Sequence, residues 1–274
     1  MPEDTLRLAV LIDADNASVN VIGDILAEVS KLGTATVRRI YGDFTSSNLQ
    51  SWGKILAEYA IQPIQQYRNT TGKNASDSAL IIDAMDLLHT RHLEGFCLVS
   101  SDSDFTRLAT RIKEDGLPVY GFGEQKTPNS FVKACNRFFY TEIFKVTSPA
   151  ATPEKRAVQA KGTPAGGKDA TFTDVKSEAA KKLAPAETAP LLDLKSDTEF
   201  QVALEKAIDA ATPMDSTRAQ LGTVGNHLQK LLPEFDARNY GFKKLSDLVE
   251  EIPTLKVTRG GQGGGSQTVY VERK

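Results

Sequence analysis

The sequence has little cysteine, little net charge and no long apolar segment. Its two cysteines, Cys97 and Cys135, stand far apart, with no CxxC pair and no histidine nearby at ligand spacing. We therefore expect both to be small core residues and do not expect a zinc site. The formal net charge is −2 at pH 7, so a nucleic-acid surface would have to be a local basic patch.

The first residues, MPEDTLRLAVLID, are acidic before a short apolar run. This is not the pattern of a signal peptide or of a membrane span. Hydrophobic residues make up 40% of the 274 residues, which is enough for a buried core in one large domain or two ordinary ones. We therefore expect a soluble protein of a reducing, cytoplasmic compartment.

Up to about residue 145, apolar runs alternate with segments of helical periodicity. Strands are predicted at LRLAVLID, ATVRRIYG, IQPIQQY, GFCLVSS and LPVYGFG, with RFFYTEIF as a further edge strand. Helices are predicted around residues 17–32, 47–60, 77–91, 104–115 and 127–136. Such alternation is typical of repeated βαβ units, so we predict an α/β fold with a mostly parallel sheet flanked by helices.

The composition changes after Thr147 to Ala, Pro, Lys and Thr with few large apolar residues. This predicts a first domain over residues 1–147, a flexible linker over 148–190 and a second domain over 191–274. The last segment contains the helical runs DTEFQVALEKAIDAA, RAQLGTVGNHLQKLLP and GFKKLSDLVEEIP, then the strand-like TLKVTR and SQTVYVE around GGQGGG. Three helices and a hairpin predict a small winged-helix domain.

Acidic and polar residues stand where two of the predicted strands end. The first strand ends in LIDADN, and the fourth ends in VSSDSDF, which supply Asp13, Asp15, Asn16, Ser101, Asp102 and Asp104. In open parallel sheets, ligands bind outside the carboxyl ends of the strands, near the point where strand order reverses. The two strands are neighbours in the common doubly wound orders, so we predict that their acidic ends share one crevice.

Asp77 is a further candidate, in the first turn of a predicted helix for which Ser76 is the expected N-cap. At about 100° per residue, Asp77 falls on the same face as Leu80 and Ala84, which should point at the sheet. A carboxylate directed inward needs a partner, and a shared cation would supply one. On the same helix, Asp83 is a weaker candidate because its direction lies between the buried and the solvated face.

Carboxylates that crowd together repel one another unless a cation neutralises them. Oxygen ligands without histidine or cysteine suit Mg²⁺ or Mn²⁺, which activate water and stabilise charge on phosphate. Helix capping is the more common role for any one aspartate, so the inference depends on the set of positions. The predicted catalytic and metal-binding residues are Asp13, Asp77, Asp102 and Asp104.

Basic and aromatic residues near these positions are candidates for contact with a phosphate backbone. VRRIYGDF and the loop YRNTTGKN supply them in the first part of the chain, although an ordinary polar rim explains any single one equally well. Lysines in the last part of the chain have the same chemistry, alongside the equally common role of a solvated face. The predicted substrate-binding residues are Asn16, Ser101, Arg38, Arg39, Tyr41, Lys73, Lys243 and Lys244.

Four motifs, LIDADN, KNASDSALIIDAMDLL, LVSSDSDFTRLATRIKEDG and VYGFG, occur in this order on the expected elements. Together they resemble the NYN domain, a branch of the PIN-like nuclease superfamily, over roughly residues 5 to 145. The resemblance implies a PIN-like, Rossmann-like fold and a metal-dependent ribonuclease. It also implies an acidic site filled by Asp13, Asn16, Asp77, Asp102 and Asp104.

The segment QLGTVGNHLQKLLPEFDARNYGFKKLSDLVEEIPTLKV resembles the LOTUS domain, also called OST-HTH, and YGFKKLSDLVE is its most characteristic piece. This winged-helix module is associated with RNA and with protein partners. The resemblance therefore implies RNA as the substrate of the first domain and as the ligand of the second, and a protein partner as a further role of the second.

Alternative functions fit some of the same residues. The aspartates two apart in DAD also suggest a phosphatase of the haloacid dehalogenase type, but Asn16 and Ala17 stand where that family usually has Thr or Val. A non-catalytic RNA-binding adaptor that keeps the metal site for structure or recognition fits as well. The leading hypothesis is a ribonuclease whose flexibly tethered tail raises the local concentration of RNA at the catalytic head.

Overall fold

The computed structural model describes residues 5–67, 75–89, 92–145, 190–260 and 268–274. Within these ranges, the first part of the chain forms a six-stranded parallel sheet with helices on both faces. The last part forms a helical unit with a small antiparallel sheet. The predicted fold class, an α/β domain followed by a small winged-helix-like domain, is therefore confirmed.

The strands of the large sheet are β1 (Arg7–Asp13), β2 (Thr34–Gly42), β3 (Gln62–Gln65), β4 (Gly95–Val99), β5 (Val119–Gly123) and β6 (Arg137–Tyr140). The helices are α1 (Ile22–Leu32), α2 (Trp52–Glu58), α3 (Ala75–His89), α4 (Thr106–Glu114), α5 (Asn129–Ala134) and α6 (Glu142–Lys145). Short 3₁₀ turns over residues 19–21, 47–49 and 103–105 fall within or at the start of the helices predicted from periodicity. None of the helices in the described ranges is long and apolar enough to cross a membrane.

The strands lie in the order β3-β2-β1-β4-β5-β6, and each neighbouring pair is parallel. Strand order therefore reverses between β1 and β4, whose paired residues end at Ile12 and Val99. This adjacency, predicted from the common doubly wound orders, places the acidic ends of both strands at one point of the sheet edge.

Alternation along β1 decides which face carries the site. Ala9 and Leu11 pack in the apolar layer that includes α3 and α4, whereas Val10 and Ile12 pack in the layer that includes α1 and α2. Successive side chains of a strand point to opposite faces. Asp13 consequently continues the row of Ala9 and Leu11 and faces the side of the sheet that α3 covers.

The predicted edge strand RFFYTEIF is only partly a strand. Its first half forms β6, but Glu142 begins the short helix α6. The apolar residues of the second half, Ile143 and Phe144, pack in the same layer as Phe139. A short apolar run does not by itself distinguish a strand from a buried helical turn, which is why the sequence did not reveal the change.

The C-terminal unit contains α7 (Thr198–Ala211), β7 (Arg218–Gln220), α8 (Leu221–Leu231), α9 (Leu245–Glu250), β8 (Leu255–Gly260) and β9 (Thr268–Arg273), with sheet order β7-β9-β8. The prediction that Arg218 begins a helix is wrong, since residues 218–220 pair antiparallel with β9. Ala219 is buried against the core while its two neighbours are exposed. Three residues are too few for this alternation to be recognised in a sequence.

Candidate metal and RNA site

Three carboxylates converge at the carboxyl edge of the sheet. The side-chain oxygens of Asp77, Asp102 and Asp104 include one from each residue, all within 4.8 Å of one another. Asp77 comes from the first turn of α3, and the other two come from the 3₁₀ turn between β4 and α4. Mg²⁺ binds its ligands at about 2.1 Å and so holds them at most about 4.2 Å apart, which small inward movements of this trio would reach. The oxygen-only donor set fits Mg²⁺ or Mn²⁺.

The position of Asp77 opposes its ionisation. Burial is the largest cause, followed by the charges of Asp13, Asp102 and Asp104, and together they raise the pKa of Asp77 from 3.8 to about 6. Its helix turns this residue towards the sheet as predicted, because Leu80 and Ala84 on the same face are buried. A bound cation would supply the opposite charge that these carboxylates lack among themselves.

Asp13 lies beside the trio and is held by three hydrogen bonds. Its Oδ2 accepts from Nδ2 of Asn16 at 2.7 Å and from Oγ of Ser100 at 2.8 Å, and its Oδ1 accepts from the amide of Asp15 at 3.1 Å. Burial raises the pKa of Asp13, although these bonds act in the opposite direction. The close group of oxygens comprises the other three carboxylates, so the place of Asp13 in the ligand set stays a prediction.

Ser100 joins the two strand ends and was not among the predicted residues. Its hydroxyl donates to Asp13 and accepts from the amide of Asp102 at 3.1 Å. The predicted neighbour Ser101 instead accepts from the amide of Glu124 at 2.8 Å. The alternation of side-chain direction along a strand distinguishes the two serines, because Ser100 continues the row of Leu98 on the α3 side of the sheet.

Asp102 caps a turn and also belongs to the trio. Its Oδ1 accepts from the amide of Asp104 at 2.9 Å, which is the capping role that aspartate commonly has. A carboxylate offers two oxygens with several acceptor positions, so capping leaves capacity for a cation. The two explanations of SDSDF, a cap or a metal ligand, are therefore compatible at this position.

The polar residues of β2 have protein partners. Arg39 and the hydroxyl of Tyr41 both bond to Asp83 of α3, and Tyr41 is fully buried. The predicted contact between Tyr41 and phosphate is thus corrected, because helix α3 covers this side chain and Asp83 takes its hydroxyl. Arg38 lies on the opposite face and donates to the carbonyl of Tyr59 at 2.9 Å. Arg38 and Arg39 stay partly exposed, and their contact with RNA remains a prediction.

The remaining predicted substrate-binding residues lie in different parts of the chain. Asn16 is exposed and bonded to Asp13. Lys73 falls outside the described residues. Lys243 and Lys244 are exposed and directly precede α9, and among the described residues neither forms an ion pair.

An open groove of about 440 Å³ lies beside these lysines on the C-terminal unit. The start of α8, the start of α9 and the start of β9 line it, through Gly222, Gly225, Leu245, Ser246 and Val269 among others. On the α8 side the groove is lined by Leu221 as well as by the two glycines. The groove and the lysines together form a surface on which a flexible polyanion could lie.

Comparison with known families identifies both parts of the chain. The family model described as NYN domain matches residues 7–142, and the model described as OST-HTH/LOTUS domain matches residues 195–267. No curated protein matches the chain.

Two solved structures resemble parts of the chain. A protein of unknown function from Vibrio parahaemolyticus RIMD 2210633 is 16% identical with a TM-score of 0.43, covering 50% of this chain and 94% of its own. An uncharacterized protein from Nitrosomonas europaea is 33% identical with a TM-score of 0.27, covering 37% of this chain and 92% of its own.

Proposed function

The chain combines an NYN domain with a following OST-HTH/LOTUS domain, and on this basis we propose that it is a metal-dependent ribonuclease that hydrolyses phosphodiester bonds of RNA. The observation that carries the proposal is the convergence of Asp77, Asp102 and Asp104 at the point where strand order reverses. Ligand sites of open parallel sheets form at this point. A cluster of carboxylates at this point is suited to bind a cation that contacts a phosphate group of the RNA.

The contacts of the site residues indicate a role for each of them in the proposed mechanism. Asp77, Asp102 and Asp104 would hold Mg²⁺ or Mn²⁺, which when bound supplies positive charge against phosphate oxygens and lowers the pKa of a coordinated water. Asn16 and Ser100 orient Asp13 beside them. The exposed Asn16 amide retains hydrogen-bonding capacity for RNA.

The OST-HTH/LOTUS domain would hold RNA through Lys243 and Lys244 and the adjoining groove. Phosphate contacts of this kind give affinity and position without reading sequence, so they suit a module that delivers RNA to a separate catalytic centre. A protein partner on the same domain is a further proposal that follows from the family alone.

A phosphatase that uses Asp13 as its nucleophile fits the site poorly. Asp13 is 1% exposed, and both of its oxygens accept hydrogen bonds from neighbouring groups. A nucleophile must reach the phosphorus atom of its substrate directly. The geometry therefore favours a supporting role for Asp13 over covalent catalysis.

The proposal is tested by incubating labelled single-stranded and structured RNA with the protein in Mn²⁺, Mg²⁺ or EDTA. Asp77→Asn and Asp86→Asn form a matched pair, because both lie on α3 but Asp86 is exposed on its solvent side. We expect cleavage with either ion, loss of cleavage in EDTA and in Asp77→Asn, and full activity in Asp86→Asn. Cleavage that survives EDTA and Asp77→Asn would contradict the mechanism, and binding without cleavage in every condition would favour the adaptor.

A further inference from the structure

Strand β6 is the last strand of the sheet, and its outer edge faces the C-terminal domain. The amide of Phe138 donates to the carbonyl of Pro233 at 2.8 Å. An edge strand presents backbone groups that are unpaired within its own sheet and readily bind another segment. Here that segment belongs to the OST-HTH/LOTUS domain of the same chain.

Arg238 of the C-terminal domain binds a buried carboxylate of the NYN domain. Its guanidinium donates to both oxygens of Glu28 on α1, at 3.1 and 3.2 Å. It also donates to both oxygens of Asp236, at 2.9 and 2.7 Å. Bidentate pairs of this kind are the stronger and more directional form of an ion pair.

Glu28 depends on its cationic partners, Arg238 and Lys31, because its side chain is only 7% exposed. A buried carboxylate is costly unless it is paired. Burial opposes the ionisation of Glu28, but its bonds to Lys31 and Arg238 outweigh this effect and lower its pKa. Lys31 is itself largely exposed, so Arg238 is the more shielded of the two partners.

Other contacts extend the interface along β6 and α5. Lys133 donates to Glu199 at 2.9 Å and to Glu234 at 3.0 Å, and both carboxylates belong to the C-terminal domain. Arg137 of β6 lies 3.6 Å from Asp236. The NYN side thus supplies both a carboxylate and cations, and the C-terminal side supplies the opposite charges at matching places.

From these contacts we propose that the OST-HTH/LOTUS domain docks on the β6 edge of the NYN domain of its own chain, and that Arg238 with Glu28 holds it there. Docking replaces the freely tethered tail expected from the linker composition with a fixed arrangement of the lysines relative to the acidic trio. The proposal concerns the association of the domains and is independent of whether the trio cleaves RNA.

Amide hydrogen exchange in the full chain tests the docking, with the Phe138 amide as the reporter. Three variants are compared with the wild type: Arg238→Ala, Glu28→Gln, and the control Arg218→Ala, whose exposed side chain pairs with Glu272 inside the C-terminal domain. We expect Phe138 to be protected in the wild type and in the control. Loss of a shielded charge pair at an interface should speed its exchange on the order of 10- to 100-fold in the other two variants.

Buried amides report whether each domain stays folded, with Leu98 in β4 for the first and Leu228 in α8 for the second. If Arg238→Ala unfolds the C-terminal domain, Leu228 loses protection, and Glu28→Gln on the other domain then decides the question. Exchange of Phe138 at the rate of an exposed amide in the wild type overturns the proposal. Unchanged protection of Phe138 in both interface variants also overturns it. Protection of Phe138 that rises with protein concentration overturns it as well, because it would assign the contact to a second copy of the chain.

Discussion

The hydroxyl of Ser100 donates to Oδ2 of Asp13 at 2.8 Å and so joins the end of β4 to the end of β1. The same hydroxyl accepts from the amide of Asp102 at 3.1 Å. One buried side chain therefore fixes both Asp13 and the turn that carries Asp102 and Asp104. Supporting groups of this kind keep reactive groups in the productive geometry.

We predict that Ser100→Ala lowers RNA cleavage by about 10- to 100-fold and raises the Mn²⁺ concentration needed for half-maximal activity. The physical reason is that Asp13 loses a bond and the Asp102 turn loses its acceptor. Thr110→Ala is the control, because its hydroxyl donates to the carbonyl of Thr106 within α4 and not to the site. Steady-state cleavage at varied Mn²⁺ checks this, and equal activity and equal Mn²⁺ dependence in the two variants would contradict it.

Tyr41→Phe should reduce stability and leave RNA binding unchanged. The substitution removes the bond from the Tyr41 hydroxyl to Asp83, which is partly exposed and keeps its pair with Arg39, so the loss should be that of an ordinary hydrogen bond, about 0.5 to 1.5 kcal/mol. Tyr67→Phe is the control, because Tyr67 is 66% exposed. Urea unfolding and RNA titrations on both variants check the prediction. A clear loss of RNA affinity by a folded Tyr41→Phe protein would instead support the original prediction that Tyr41 contacts phosphate.

The pKa of Asp77 predicts how stability depends on pH in the absence of divalent ions. Because that pKa is raised, the folded chain holds this proton more tightly than the unfolded chain does. The contribution of Asp77 to stability is therefore most favourable at low pH, and it declines as the pH rises from 3.8 to about 6. Asp77→Asn removes the decline, so its melting temperature relative to the wild type should increase over this range.

Thermal melts of the wild type, Asp77→Asn and the control Asp86→Asn across this pH range check the expectation. Mn²⁺ added near neutral pH should raise the melting temperature of the wild type and of the control, because it binds the folded state. Mn²⁺ should raise the melting temperature of Asp77→Asn much less. A difference between wild type and Asp77→Asn that does not vary with pH would show that Asp77 ionises without penalty.

The sequence predicted what depends on local periodicity and strand order. The end of the apolar run LRLAVLID placed Asp13 at the end of a strand, and helical phase placed Asp77 on the face directed at the sheet. It did not predict partners that lie far apart in the chain, such as Arg39 with Asp83, 44 residues away, or Arg238 with Glu28, 210 residues away. Local patterns carry no information about such pairs, because packing between elements decides them.

Substitutions of Asp102 can separate the role of a cap from that of a metal ligand. Its carboxylate accepts a hydrogen bond from the Asp104 amide and also belongs to the acidic trio. Asparagine caps a turn as well as aspartate does, so Asp102→Asn should keep the stability of the wild type or gain some by relief of repulsion. Asp102→Ala loses the cap as well, at a cost of about 1 kcal/mol. Both variants lose a charged ligand, so both should lose cleavage and the stabilisation by Mn²⁺.

Unfolding and RNA cleavage, each with and without Mn²⁺, are measured side by side on the wild type and these two variants. The metal site predicts two inactive proteins that differ from each other in stability. A cap alone predicts that Asp102→Asn cleaves RNA at the wild-type rate and keeps its response to Mn²⁺, and that result would remove the metal site. The asparagine variant is the more informative of the two, because it changes the charge while preserving the hydrogen bond that holds the turn.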